Sequence, residues 1–114
     1  PLPPRSYILQ NNNGTYKDIT EQVCSSLLNL GLVTDAIWSD YDNDGFVDLI
    51  VVGELMPITI LKNVNGLFSK VNTPLQNYIG WWSSIAAADF DGDGDTDYVV
   101  GNYGLNNSYN VSSD

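Results

Sequence analysis

Hydrophobic and polar residues fall in short runs that read as strands. "TDAIWSD" (34–40) precedes an acidic stretch, and "VDLIVVG" (47–53) follows it as an apolar run of buried-strand length. "ITILKN" (58–63) comes after Pro57, which suits a strand start, and the Asn65-Gly66 pair is a hairpin signal leading into "LFSKVN" (67–72). These are four short antiparallel strands joined by tight turns. Residues 5–11 and 15–20 read as the last two strands of a preceding unit, and 83–89 and 96–101 as the first two of a following one. In "EQVCSSLLNLGL" (21–32), Val23, Leu27, Leu28 and Leu30 lie near helical spacing, so a short helix closed by Gly31 is expected. The tail 102–114, rich in Asn, Ser and Gly, reads as loop.

The pattern repeats. "SDYDNDGFVDLIVVGE" (39–54) matches "ADFDGDGDTDYVVGN" (88–102), with Asp40 on Asp89 and Asp48 on Asp97 at an offset of 49. "ILQNNNGTYKDIT" (8–20) matches "ILKNVNGLFSKVN" (60–72), with Leu9 on Leu61, Gly14 on Gly66, Tyr16 on Phe68 and Ile19 on Val71 at an offset of 52. Two independent features at nearly one period imply a tandem unit, and four-stranded units at this period imply propeller blades. The expected fold class is therefore all-β: tandem four-stranded antiparallel blades of a β-propeller, with an acidic loop between the first and second strands of a blade. Residues 1–20 would close a preceding blade, with a linker or short helix at 21–33. Residues 34–72 would form one complete blade with its loop at 40–48. A linker at 73–82 would lead to the start of a following blade at 83–114, with its loop at 89–97. One blade between two half-blades leaves strand edges open, so the intact protein should carry more blades, and the segment alone can self-associate through those edges. The opening "PLPPR", with no initiator Met or signal peptide, fits a piece of a longer chain.

Charge sharpens this picture. The net charge is −10, and Asp40, Asp42, Asp44, Asp48, Asp89, Asp91, Asp93, Asp95 and Asp97 supply nine of the 14 acids. Removing nine negative charges from −10 leaves −1, so the acidity belongs to two loops. With four basic residues in all, no footprint for nucleic acid exists. No apolar run reaches membrane-spanning length, so no membrane insertion is expected. Without His, the usual general base and the usual zinc or copper ligand are missing, and no Ser–His triad can be assembled within this segment. Cys24 stands alone and reads as a small buried hydrophobe.

Both loops have the spacing D-x-D-x-D-G-x-x-D. Asp40, Asp42 and Asp44 take positions 1, 3 and 5, with Asp48 at 9; Asp89, Asp91, Asp93 and Asp97 repeat the set. Alternate side chains of a tight loop converge on one point, Gly45 or Gly94 permits the sharp turn, and Phe46 or Asp95 at position 7 can offer a backbone carbonyl. Oxygen donors alone suit Ca2+ better than Mg2+, which demands a stricter octahedron. An EF-hand would need a bidentate Glu at position 12, but Val51 and Val100 stand there, and the flanks read as strands rather than helices. A merely solvated turn would not explain four acids at the same positions twice.

These loops, with the "DLIVVG" and "DYVVG" that follow, resemble the FG-GAP or VCBS repeats of integrin-alpha-like propellers over most of 34–102, extending back to about residue 6. "VVGELMPITILKN" and "GWWSSIAAADFDGDGDTDYVVGNYGLN" are further similar to bacterial surface proteins related to cartilage acidic protein. The resemblance implies two Ca2+ sites on one propeller rim. Asp40, Asp42, Asp44, the Phe46 carbonyl and Asp48 would form one; Asp89, Asp91, Asp93, the Asp95 carbonyl and Asp97 the other.

The remaining features are read more plainly. Trp38, Trp81 and Trp82 are assigned to blade core rather than to a carbohydrate platform, Tyr41 and Phe90 are expected to pack over their loops, and Glu54 to be solvated. Asn13, Asn106 and Asn110 begin N-glycosylation triplets, which chance alone explains in so Asn-rich a chain. The functional expectation is a non-enzymatic, calcium-binding propeller segment of an exported, surface or periplasmic protein. It would serve adhesion or bind a protein or carbohydrate ligand. The alternatives are an accessory part of a larger extracellular polysaccharide-active enzyme and a structural spacer; flanking sequence would separate them.

Overall fold

The computed structural model describes residues 3–103, and every element in it but two short helical stretches and a helical turn is an antiparallel strand. Strands β1 (Leu9–Asn12) and β2 (Thr15–Asp18) form a separate hairpin. Strands β3 (Leu32–Ser39), β4 (Asp48–Pro57), β5 (Thr59–Val64), β6 (Leu67–Lys70), β7 (Ile79–Ala88) and β8 (Asp97–Asn102) form one six-stranded sheet. Its order is β6-β5-β4-β7-β8, with β3 on the other edge of β4.

The repeated Asn-Gly turns fold alike because their chemistry is alike. Asn13 and Asn65 have φ of 55° and 54°, followed by Gly14 at 92° and Gly66 at 83°, the doubly positive pair that matches the twist of a two-residue hairpin. In each, an Asn two residues before the turn takes the glycine N–H: Gly14 N donates to Asn11 Oδ1 and Gly66 N to Asn63 Oδ1, both at 2.8 Å.

Strand β4 is the centre of the molecule. Residues Asp48 to Gly53 are all buried, as an unbroken apolar run requires when both faces are covered. Period-2 alternation sends its side chains to two cores. Leu49, Val51 and Met56 join Leu61, Cys24 and Leu27 on one face, backed by Ile8 and Phe68. Ile50 and Val52 join Ile58, Ile60 and Ile85 on the other, backed by Trp82, Tyr98 and Leu75. Each such aliphatic side chain contributes about 1.5–3 kcal/mol on burial. The blade β3–β6 is thus held between the chain before it and the half-blade after it, an arrangement consistent with a fragment of a propeller.

The junction with the following half-blade is made at the tip of β4. Its pairing with β5 ends at Val51↔Thr59, which frees that edge for β7: Glu54 pairs with Trp81, Met56 with Gly80 and Pro57 with Ile79. Residues Ile79–Trp82, expected within a linker, are therefore strand, preceded by a 3-10 turn at Pro74–Asn77 that Thr73 caps through its hydroxyl. Side chains add to the junction. Thr34 Oγ1 donates to the Trp82 carbonyl at 2.7 Å, Ile85 N donates to Asp35 Oδ2 at 3.0 Å, and Ser39 and Tyr98 share a hydroxyl–hydroxyl bond of 2.6 Å.

Two further expectations change. The helix expected over 21–32 is a four-residue turn, α1 (Thr20–Val23), followed by a 3-10 turn at Ser25–Leu27. Cys24 breaks the helix with an extended φ of −157°, and the serines after it are weak helix formers. Trp38 is not core: it is 53% exposed, edge-to-face with Phe68 at 5.6 Å, because its strand position faces away from the packed half-blade. Trp81 is half-buried beside Tyr103, and Trp82 backs the second core. Cys24 is buried, as expected. The tail beyond Tyr103, with Asn106 and Asn110, lies outside the described residues.

Candidate metal centre

The first acidic loop joins β3 to β4, and its own backbone folds it. Asp40 at its entrance accepts from Asp44 N at 3.0 Å and Gly45 N at 2.8 Å, and Asp44 accepts from Phe46 N at 2.9 Å. Such side-chain caps draw the chain into a coil that needs left-handed residues, supplied by Asn43 (φ 58°) and Gly45 (φ 88°). At the exit, Asp48 is fully buried; its Oδ1 accepts from Asn63 N on β5 at 2.8 Å and its Oδ2 from Tyr41 N at 3.3 Å. One carboxylate oxygen from each of Asp40, Asp42, Asp44 and Asp48 lies within 4.8 Å of the others.

Strand β5 clamps this loop from the side. Asn63 Nδ2 donates to the Val47 carbonyl at 2.9 Å, and the Lys62 ammonium bonds both Asp42 and, at 2.6 Å, Asp44. The same ammonium lies 5.7 Å from the Tyr41 ring centroid. Its hydrogen bonds to Asp42 and Asp44 raise the Lys62 pKa. The Lys62 bond, then the Phe46 N–H, holds the Asp44 carboxyl below its usual range. Burial pushes the Tyr41 phenol up, and the neighbouring Asp42 adds to this. Sequence reading missed Lys62 and Asn63. A signal was present for Asn63, which recurs as Asn11 at the repeat offset; Lys62 has Gln10 as its counterpart and gave none.

The second loop, between β7 and β8, repeats the local fold. Asp89 accepts from Gly92 N at 2.7 Å, Gly94 N at 2.9 Å and Asp93 N at 3.2 Å, with Gly92 and Gly94 at φ 77° and 96°. These N–H bonds, that of Gly94 foremost, lower the Asp89 pKa. Asp89, Asp91 and Asp93 gather within 4.8 Å, but Asp97 is outside this trio; its Oδ2 accepts from Phe90 N at 2.9 Å. Among the described residues no strand lies beyond β8 to supply the N–H that β5 gives Asp48. Asp95 has a contact of its own: its Oδ1 accepts from Asn43 Nδ2 at 2.9 Å, joining the two loops. Of the position-2 aromatics, Tyr41 packs with the second core while Phe90 is 58% exposed; Phe46 likewise exposes its ring.

The donors fit a hard cation. Four carboxylates with no nitrogen or sulfur ligand converge in the first loop, and a positive group, the Lys62 ammonium, already sits against two of them. The second loop offers three. A family model for the FG-GAP-like repeat matches residues 40–100, from the first Asp of one loop into the strand that follows the other. No curated protein and no solved structure matches the chain. With both acidic loops inside a matched region that spans more than half of the chain, this chain belongs to the FG-GAP-like repeat family.

Proposed function

We propose that this chain is a calcium-binding propeller segment of an exported or surface protein, in which Ca2+ fastens the blade and the activity is adhesion or ligand binding rather than catalysis. The observation that carries this reading is the convergence of Asp40, Asp42, Asp44 and Asp48 where buried β4 begins. Asp40, Asp42, Asp44 and Asp48 would hold one ion, with the Phe46 carbonyl; Asp89, Asp91 and Asp93 would hold the second, completed by the Asp95 carbonyl and Asp97 once an ion draws the loop closed. Two ions would take the net charge from −10 to −6 and offset repulsion beside the core. Extracellular modules bind calcium at about 10⁻⁴–10⁻³ M, near its concentration outside cells, so substantial occupancy is expected there. FG-GAP repeats usually occur in extracellular proteins, and among the described residues no helix is long and apolar enough to cross a membrane.

Thermal melts in Ca2+, Mg2+ and chelator, with elemental analysis, test this. Calcium should raise the melting point in a concentration-dependent way and magnesium should do so far less. A melting point that chelator leaves unmoved, with no metal in the purified protein, sinks the proposal.

A further inference from the structure

We propose that Lys62 is a built-in counter-ion of the first loop: its ammonium holds Asp42 and Asp44 in the ion-free protein and must be displaced by an entering Ca2+, so Lys62 sets that site's affinity. This rests on the calcium reading above. The geometry is specific. Lys62 projects from β5, the strand already tied to the loop by Asn63, and its side chain is only 23% exposed. Its Nζ bridges Asp42 and Asp44, two of the four converging carboxylates, so both present oxygens to the ammonium that a metal would claim. An ammonium and a divalent ion cannot both hold those oxygens, because like charges at contact distance repel strongly where water is partly excluded.

The device offsets the repulsion between Asp42 and Asp44 when no metal is present. It also separates the two loops. Among the described residues Asp89, Asp91 and Asp93 form no ion pair, so the second loop has no such internal competitor. Lys62 therefore makes the first site preorganised but weaker, and leaves the second dependent on the ion for its closure. Nor is the lysine demanded by the hairpin itself, since Gln10 takes its place in β1 within the same "IL-x-N" framework.

Calorimetric Ca2+ titration of the wild type, Lys62→Met and Lys62→Arg, each carrying Asp93→Ala to silence the second loop, tests this. Methionine keeps the apolar stem and removes the charge; arginine keeps the charge. Two partly exposed ion pairs correspond to a tightening of about three- to tenfold in the Met variant, with the Arg variant near the parent. The Met variant should also melt lower than the parent in chelator. A Met variant that binds Ca2+ no tighter than the parent overturns the counter-ion role and leaves the calcium site standing. A parent that takes up no Ca2+ overturns the calcium reading itself, and this inference with it.

Discussion

Replacing Asp48 by Ala should damage the blade even with no metal present. The carboxylate is fully buried and is the acceptor for two backbone donors, Asn63 N at 2.8 Å and Tyr41 N at 3.3 Å. A buried N–H left without a partner costs about 1–3 kcal/mol, with the longer bond at the low end. Relief of repulsion from Asp40, Asp42 and Asp44 offsets part of this, though Lys62 already neutralises part of that charge. The expected loss is about 3 kcal/mol, or about 12 °C in melting temperature for a domain of this size. The assay is urea and thermal unfolding in chelator, so that metal does not contribute. Asp97→Ala is the control: its carboxylate accepts one backbone bond and is only half-buried, so about 1 kcal/mol is expected. Repeating the melts in calcium adds a second arm. At a free ion concentration 100 times the dissociation constant, a site contributes about 2.7 kcal/mol, which Asp48→Ala should forfeit at the first loop. If Asp48→Ala unfolds within 1 kcal/mol of wild type in chelator, or if Asp97→Ala costs as much, then the buried acceptor does not hold the loop to β5.

Other outcomes follow from the same geometry. Thr20→Val removes a buried hydroxyl that accepts from Ile8 N at 2.7 Å and donates to Asp18 at 2.6 Å, for a loss of about 1–3 kcal/mol at neutral pH. The Thr20 hydroxyl, then its N–H, lowers the Asp18 pKa, so that part of the stability is present above the ordinary carboxyl range and lost as pH falls through the depressed folded value. The gap between wild type and Thr20→Val should therefore narrow in acid, which unfolding curves at neutral and strongly acid pH would read out. Gly53→Ala would press a methyl group into the Leu32 carbonyl and onto Met56 Sδ, and should cost more than about 2 kcal/mol. Gly45→Ala meets no atom within 4 Å and suffers only its φ of 88°, about 1 kcal/mol, so equal melting points for the two would contradict the packing at Gly53. Leu61→Ala, at a fully buried position of the first core, should cost about 2–5 kcal/mol in urea unfolding.

Much of this architecture was legible because it is local. The Asn-Gly turns, the apolar run of β4 and the Asp-Gly loops each depend on residues within a few positions of one another. The position-1 Asp caps the N–H groups of positions 5 and 6 identically in both loops, as Asp40 on Asp44 and Gly45 and Asp89 on Asp93 and Gly94. Repetition at a fixed offset supplied the rest: two copies of one loop and two of one hairpin imply a tandem unit with little tertiary knowledge.

What the sequence did not determine lies between elements. The loops have the same four acids at the same spacing, yet Asp48 joins its cluster and Asp97 does not, since among the described residues only Asp48 has a neighbouring strand to fix it. The Lys62 contact spans 18 and 20 residues, and the Asn43–Asp95 contact 52, and neither leaves a periodic trace in the chain. Trp38 looks like a core residue in any one-dimensional pattern and is half in solvent because the packed face of β3 is elsewhere. By itself the sequence determined the repeat, the strands and the acidic loops, since backbone hydrogen bonding and side-chain alternation act over a few residues. Only the tertiary structure decided which carboxylates meet, which cation attends them and which sheet edges are filled, because those depend on packing between segments that the chain brings together only on folding.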